Sequence, residues 1–304
     1  MPGHVPVLVR EAVRFLVTDP EGIYLDTTLG RAGHSRELVA ALGGEARVIA
    51  MDCDPAAVER ASADPPAPPP RFTPVRGRFS ELEAVLERLH VPSVDGILAD
   101  LGLSSDQLDD PARGLSFAAD GPLDMRLDPA RPAPADALLR SMDDRALERV
   151  LREYGELPRA RAAARAIRHA LATHTPLTTG GLRAALEPLY PGPSRSRRLA
   201  QAFQALRIAV NREIEELGAL LKSSARVIRP GGVLCVIAYH SLEDRMVKTA
   251  FRPPRPMDPW AEPEPTPWEP ITRKPVRPSE EEIRENPRAA SARLRAARRK
   301  ERLP

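Results

Sequence analysis

Short apolar runs bounded by turn residues alternate with amphipathic stretches along the first hundred residues, the pattern of strands and helices in an α/β sheet. Three of these runs end in an acid: Gly22-Ile23-Tyr24-Leu25-Asp26, Arg47-Val48-Ile49-Ala50-Met51-Asp52 and Val94-Asp95-Gly96-Ile97-Leu98-Ala99-Asp100. Ligands bind at the carboxyl ends of parallel strands, so these aspartates mark one functional edge. A fourth run, 233–239, follows Pro230-Gly231-Gly232, ends at His240 and is predicted for the same sheet.

From about residue 111 to 199 the pattern changes to helices without a convincing strand. Leu147, Val150, Leu151 and Tyr154 share one face, and Leu182, Leu186 and Leu189 another. Asp143 or Asp144, and Thr178 or Thr179, are the expected caps. Such a length far exceeds the ~2–6 residues of an ordinary βα loop and predicts an inserted helical domain over 109–202, within a sheet domain formed by 1–108 and 203–304. Phe203, Leu206, Val210, Ile214, Leu217 and Leu221 repeat at helical spacing and lead back to the fourth strand. The Pro-rich stretches 64–74 and 251–278 are expected to be loops, with Trp260 and Trp268 packing the second one onto the core.

Composition adds a charge asymmetry. The 304 residues carry 45 Lys+Arg against 42 Asp+Glu, a net +3 that excludes a uniformly basic nucleic-acid coat. Residues 271–304 hold eleven Lys/Arg and five acids, which leaves the rest mildly acidic. The basicity is a property of the C-terminal end. Two cysteines, Cys53 and Cys235, show no metal-ligand spacing, and no metal is expected. A reducing cytoplasm fits this cysteine usage. Neither a signal-like start nor an apolar run near the ~18 residues of a membrane span is present, so no membrane association is expected.

The segment Asp26-Thr27-Thr28-Leu29-Gly30-Arg31-Ala32-Gly33-His34-Ser35 joins a strand to an amphipathic stretch. Gly30 and Gly33 permit close backbone approach to a ligand, and Ser35 is the expected helix cap. The carboxylate of Asp26 repels a pyrophosphate and attracts a cation, which favours S-adenosylmethionine over NAD. Asp52, 22 residues after Gly30, is placed to accept hydrogen bonds from ribose hydroxyls; Asp54 is the alternative, or a helix cap before Pro55. The third element, Asp100-Leu101-Gly102-Leu103-Ser104-Ser105-Asp106-Gln107, is a polar loop straight after a strand, where cofactor and substrate meet.

His4-Val5-Pro6-Val7-Leu8, the 26–35 loop, the strings 100–117 (DLGLSSDQLDDPARGLSF), 121–128 (GPLDMRLD), 203–211 (FQALRIAVN) and 240–248 (HSLEDRMVK), and 286–295 near the end together resemble the ribosomal RNA small subunit methyltransferase H family. The resemblance spans nearly the whole chain. It implies an α/β fold, a class I S-adenosylmethionine-dependent methyltransferase (Rossmann-like) sheet with an inserted all-helical domain for substrate recognition. It also implies methylation of N4 of a decoding-centre cytidine in 16S rRNA of the small ribosomal subunit. The cofactor contacts it implies are Ala32, Gly33, His34, Asp52, Phe79, Asp100 and Gln107, with the last two at the reacting end. Ala32 replaces a usual glycine, and its backbone contacts are expected to survive if its φ is negative. Leu115 replaces an aromatic, and Tyr239 a Phe.

Asp100 is the expected acceptor for the amine proton, although many amino-methyltransferases have Asp/Asn-Pro-Pro-aromatic where this chain has Asp100-Leu101-Gly102-Leu103. His240 is expected either to border the target base or to cap a helix. For gripping RNA the candidates are Arg195, Arg197 and Arg198 and the tail residues Arg288, Arg293, Arg295, Arg298, Arg299 and Lys300. A homodimer is left open. Competing readings are a non-catalytic RNA-binding ribosome-assembly factor and an NAD-linked oxidoreductase, the latter disfavoured by Asp26 and by the absence of G-x-G-x-x-G.

Overall fold

The computed structural model describes residues 6–68, 71–253 and 265–301. His4, Val5, Trp260 and Arg302 lie outside the described residues. Among those described, seven strands form one sheet: β1 (Ile23–Asp26), β2 (Arg47–Asp52), β3 (Phe72–Arg76), β4 (Val94–Asp100), β5 (Ile228–Ala238), β6 (Trp268–Pro270) and β7 (Arg293–Arg299), in the order β3-β2-β1-β4-β5-β7-β6. The first five pair in parallel, and β7 runs antiparallel between β5 and β6. This is the Rossmann-like α/β sheet that the sequence leads one to expect. The order reverses between β1 and β4, and the crevice at their carboxyl ends is where such a sheet takes its ligand.

In chain order the helices are α1 (Val9–Leu16), α2 (Gly33–Ala41), α3 (Pro55–Ala63) and α4 (Leu82–Arg88), then α5 (Ser105–Asp109), α6 (Ala135–Ser141), α7 (Asp144–Glu153), α8 (Ala160–Thr173), α9 (Thr179–Leu186) and α10 (Arg195–Asn211). They end with α11 (Glu213–Val227), α12 (Ser241–Phe251) and α13 (Glu280–Glu285). Two compact units result, one of 1–102 with 215–304 and one of 103–214.

In the sheet unit, the central strands are apolar on both faces. Tyr24, Val48, Leu98 and Cys235 lie in one buried cluster, and Leu25, Ile49, Ile97 and Leu234 in another, as the alternation of side chains across a strand requires. Trp268 belongs to the second cluster and packs on Phe251 with ring centroids 5.7 Å apart. Cys53 and Cys235 form no disulfide with each other. Helix α3 starts as its sequence predicts, with Asp54 accepting from the Ala56 N–H at 3.0 Å and Pro55 following.

The helical unit has its own core. Leu147 and Leu151 of α7 and Leu182 and Leu186 of α9 are buried in it, and Asp143 and Thr178 cap those helices. Leu199, Phe203, Leu206 and Val210 of α10 belong to the same core, so the unit runs to Ile214 rather than ending at residue 202. The expected single helix over 203–221 is two helices, broken at Arg212 where φ is 53°. The break follows Asn211, whose side chain is committed to the preceding segment. Its Oδ1 accepts from the Leu127 N–H at 2.8 Å, and its Nδ2 donates to the Met125 carbonyl at 2.8 Å.

The basic C-terminal end, expected as an RNA-gripping tail, is largely structural. Arg295 on β7 is buried, and its Nε donates to Asp244 Oδ1 of α12 at 2.7 Å. Arg293 lies 3.8 Å from the same carboxylate, and Arg299 Nη1 donates to the Ile228 carbonyl at 2.7 Å. Arg298 is exposed. A desolvated guanidinium needs a carboxylate partner, and Arg295 is committed to Asp244 in that way.

Candidate functional site

The site is built where β1, β2 and β4 end. Asp26 is buried at the end of β1, and Oδ2 accepts from Ser35 Oγ at 2.6 Å. Ser35 therefore ties helix to strand and is not the cap; α2 has no side-chain cap, and Ala32 occupies the N-cap position. The first-turn N–H groups of an uncapped helix are ready-made donors to an anion. The Thr28 hydroxyl accepts from the Asp100 N–H at 2.7 Å and lies 3.3 Å from Asp26 Oδ1, which joins the ends of β1 and β4.

The loop takes two left-handed residues to make this turn, Gly30 at φ 50° and Ala32 at φ 59°. The condition of a negative φ at Ala32 is thus not met, and an alanine holds a conformation that suits glycine. Gly30 N–H donates to Asp52 Oδ2 at 2.8 Å, and Asp54 N–H donates to Asp52 Oδ1 at 2.9 Å. Burial pushes the Asp52 carboxyl up to about 6, the two backbone donors opposing the rise. Phe79 opens a 3₁₀ turn just beyond β3 and packs partly buried on the sheet core, close in sequence to Gly77, whose N–H donates to the Asp52 carbonyl at 3.0 Å.

His34 is buried beside Asp100. Its Nε2 donates to the Val7 carbonyl at 2.9 Å, and its Nδ1 lies 3.7 Å from Asp100 Oδ2. Residues 7–8 are themselves held by α13, through the Leu8 N–H donating to Glu282 Oε1 at 2.7 Å. Beyond β5, His240 caps α12: its Nδ1 accepts from the Glu243 N–H at 3.4 Å and its Nε2 lies 3.0 Å from Glu243 Oε1. Both ring nitrogens face Glu243, so the geometry shows the cap. Gln107 lies in the helical unit and forms a capping box with Ser104 at the start of α5, with bonds of 3.1 and 3.2 Å.

An acid at each of three adjacent strand ends, over a glycine-turned loop, is a site for a nucleoside-bearing cation. The profile of the MraW methylase family matches residues 1–300. The chain belongs to the MraW methylase family. The ribosomal RNA small subunit methyltransferase H of Sorangium cellulosum is 48% identical over 299 residues, 97% of this chain and 90% of that protein. The enzyme of the same name from Thermomicrobium roseum is 46% identical over 307 residues, covering 97% and 93%. An rRNA methylase of Streptococcus thermophilus of known structure shares 9% identity, with a TM-score of 0.41 over 96% of this chain and 93% of that one.

For this MraW-family methylase the sheet unit brings together Ala32, Gly33, His34, Asp52, Phe79 and Asp100 at one edge. Two contributors were not singled out from sequence: the Thr28 hydroxyl and the Val7 carbonyl. Thr28 was within reach, since a hydroxyl two residues after a strand-ending aspartate commonly bonds back to it. The Val7 carbonyl is a backbone group and leaves no mark in the side-chain pattern.

Proposed function

We propose that this chain is a cytoplasmic S-adenosylmethionine-dependent methyltransferase that methylates N4 of a decoding-centre cytidine in 16S rRNA of the small ribosomal subunit. The observation that carries the reading is Asp100 at the carboxyl end of β4, beside the loop that follows β1 at the switch point of the sheet. The high identity to ribosomal RNA small subunit methyltransferases supports the substrate class. Among the described residues no helix is long and apolar enough to cross a membrane.

The donor set fits the cofactor. Asp52 carries acceptor lone pairs for ribose hydroxyls, the uncapped start of α2 offers N–H groups to a carboxylate, and Asp26 and Asp100 supply negative charge near a sulfonium. Phe79 offers a flat apolar face to an adenine. The chemistry supplied by S-adenosylmethionine is a methyl carried on positive sulfur, whose bond electrons stay on sulfur when the methyl leaves.

The protein's task is to make a poor nucleophile attack. The N4 lone pair of cytosine is delocalised into the ring, so Asp100 accepts a hydrogen bond from the amine, aligns it with the methyl group and takes up the proton lost as the C–N bond forms. A base inside folded rRNA must first be unstacked, which requires a grip on surrounding phosphates. The exposed Arg195, Arg197 and Arg298 suit that role. Transfer of labelled methyl from S-adenosylmethionine to small-subunit particles tests the reading: the wild type transfers and Asp100→Ala does not. Equal transfer by both would remove Asp100 from the chemistry.

A further inference from the structure

His34 is the second residue of α2 and is buried, and the two nitrogens of its ring meet different partners. Nε2 lies 2.9 Å from the Val7 carbonyl, a group that can only accept, so Nε2 carries the hydrogen. That bond fixes the tautomer and leaves the lone pair of a neutral ring on Nδ1, 3.7 Å from Asp100 Oδ2. Both neighbours are anchored. The chain carrying Val7 is tied to α13 through the Leu8 N–H, which donates to Glu282 at 2.7 Å, and the Asp100 N–H donates to the Thr28 hydroxyl at 2.7 Å. The ring stands in the first turn of α2, where the positive end of a helix disfavours an imidazolium, while a carboxylate beside it favours one. Whether Nδ1 holds a proton is therefore decided by what else faces Asp100.

We propose that His34 is the second proton acceptor of methyl transfer, receiving on Nδ1 the proton that Asp100 takes from the substrate amine. This rests on the role of Asp100 given above. The amine lone pair forms the new N–C bond while the electrons of the S–C bond stay on sulfur. The amine proton passes to Asp100 and then to His34, which releases it to water once product has left. Charge gives the step its driving force. Before transfer Asp100 faces a sulfonium; afterwards the sulfur is neutral, and an imidazolium at His34 restores a positive charge beside the carboxylate. An imidazole also holds a proton more tightly than a carboxylate does. The 3.7 Å gap is longer than a hydrogen bond and closes in the loaded site, as catalytic hydrogen bonds commonly do. The other charged or titratable groups around the pair are Asp26, which accepts from Ser35 beside His34, Tyr239 and Glu243 beyond β5, and Glu282 on α13. His34 acts through Asp100 and needs no contact with the substrate.

The first test follows the ring itself. Full-length wild type with isotope-labelled histidine is titrated by NMR with S-adenosylmethionine bound and with S-adenosylhomocysteine bound, and His34→Gln assigns the signal. The neutral ring is expected to hold its hydrogen on Nε2, and to gain the second proton at a higher pH with S-adenosylhomocysteine, which lacks the sulfonium charge. Coinciding titrations, or a neutral ring with its hydrogen on Nδ1, would overturn the proposal. The second test is methyl transfer to small-subunit particles at saturating cofactor. His34→Gln keeps an amide donor for the Val7 carbonyl but takes up no proton. Its kcat is expected to fall about a hundredfold, the low end for a positioned proton acceptor, with KM for particles unchanged. The acid limb of its pH profile moves to lower pH, because the group whose protonation blocks the wild type is gone. Wild-type kcat in His34→Gln, with Asp100→Asn inactive, would overturn the role of His34. Wild-type turnover in Asp100→Asn would instead overturn the role of Asp100, a separate failure.

Discussion

The backbone N–H of Gly30 donates to Oδ2 of Asp52 at 2.8 Å, so the left-handed turn of the loop is fastened to the end of the neighbouring strand. The same carboxyl is pushed up to about 6 by burial. If the ionised form is the one that accepts from a ribose, roughly a tenth of the sites are competent at about pH 5, and S-adenosylmethionine affinity is expected to be about tenfold weaker there than at about pH 7.5. Calorimetry across pH checks this, and Asp52→Asn is expected to bind weakly with the pH dependence removed. The linkage to stability has the opposite sense to that of a salt-bridged acid. The folded state holds the extra proton between about pH 4 and 6, so this group's contribution to stability grows as pH falls through that window and is lost as pH rises through it.

Ala32 occupies a left-handed backbone position at φ 59°. That conformation costs an L-residue about 1–2 kcal/mol, partly offset by the greater freedom of glycine in the unfolded chain. Ala32→Gly is expected to stabilise the protein by about 0.5–1 kcal/mol, read as a higher denaturant midpoint with an unchanged slope. A lower midpoint would contradict the strain at this position.

Arg295 and Arg298 separate structure from RNA binding on one strand. Arg295→Ala leaves Asp244 without its main partner at a largely buried site and is expected to cost about 3–5 kcal/mol in thermal or denaturant unfolding. Arg298→Ala, at an exposed position, is expected to leave unfolding unchanged, weaken RNA binding and reduce its salt slope by about one. An unchanged slope would remove Arg298 from the RNA contacts.

In the helical unit, Asn211→Ala is expected to cost about 2–4 kcal/mol, because it leaves the buried backbone groups of Leu127 and Met125 without partners. Urea unfolding measures it, and a loss below about 1 kcal/mol would show that water replaces the amide.

The strand ends of the site were legible to the residue. Asp26, Asp52 and Asp100 close β1, β2 and β4 as the apolar runs predict, because central parallel strands are buried on both faces and their termini are abrupt. β3 was hidden by Pro74 in a proline-rich stretch. It lies at the sheet edge and pairs only with β2, where a missing N–H is tolerated. β7 was hidden by its charge: Arg293-Leu294-Arg295-Ala296-Ala297-Arg298-Arg299 reads as a basic tail until Asp244 and the Ile228 carbonyl are placed beside it. The roles of Asp26 and Ser35 were only half readable, since their mutual bond depends on how α2 leaves the loop.

The central claim is methylation of N4 of one small-subunit cytidine, and mass mapping of the nucleosides of 16S rRNA from cells with and without this protein tests it most directly. N4-methylcytidine at the decoding centre is predicted to disappear when the protein is removed and to return with the wild type but not with Asp100→Ala. An unchanged N4-methylcytidine level in cells lacking the protein would contradict the account.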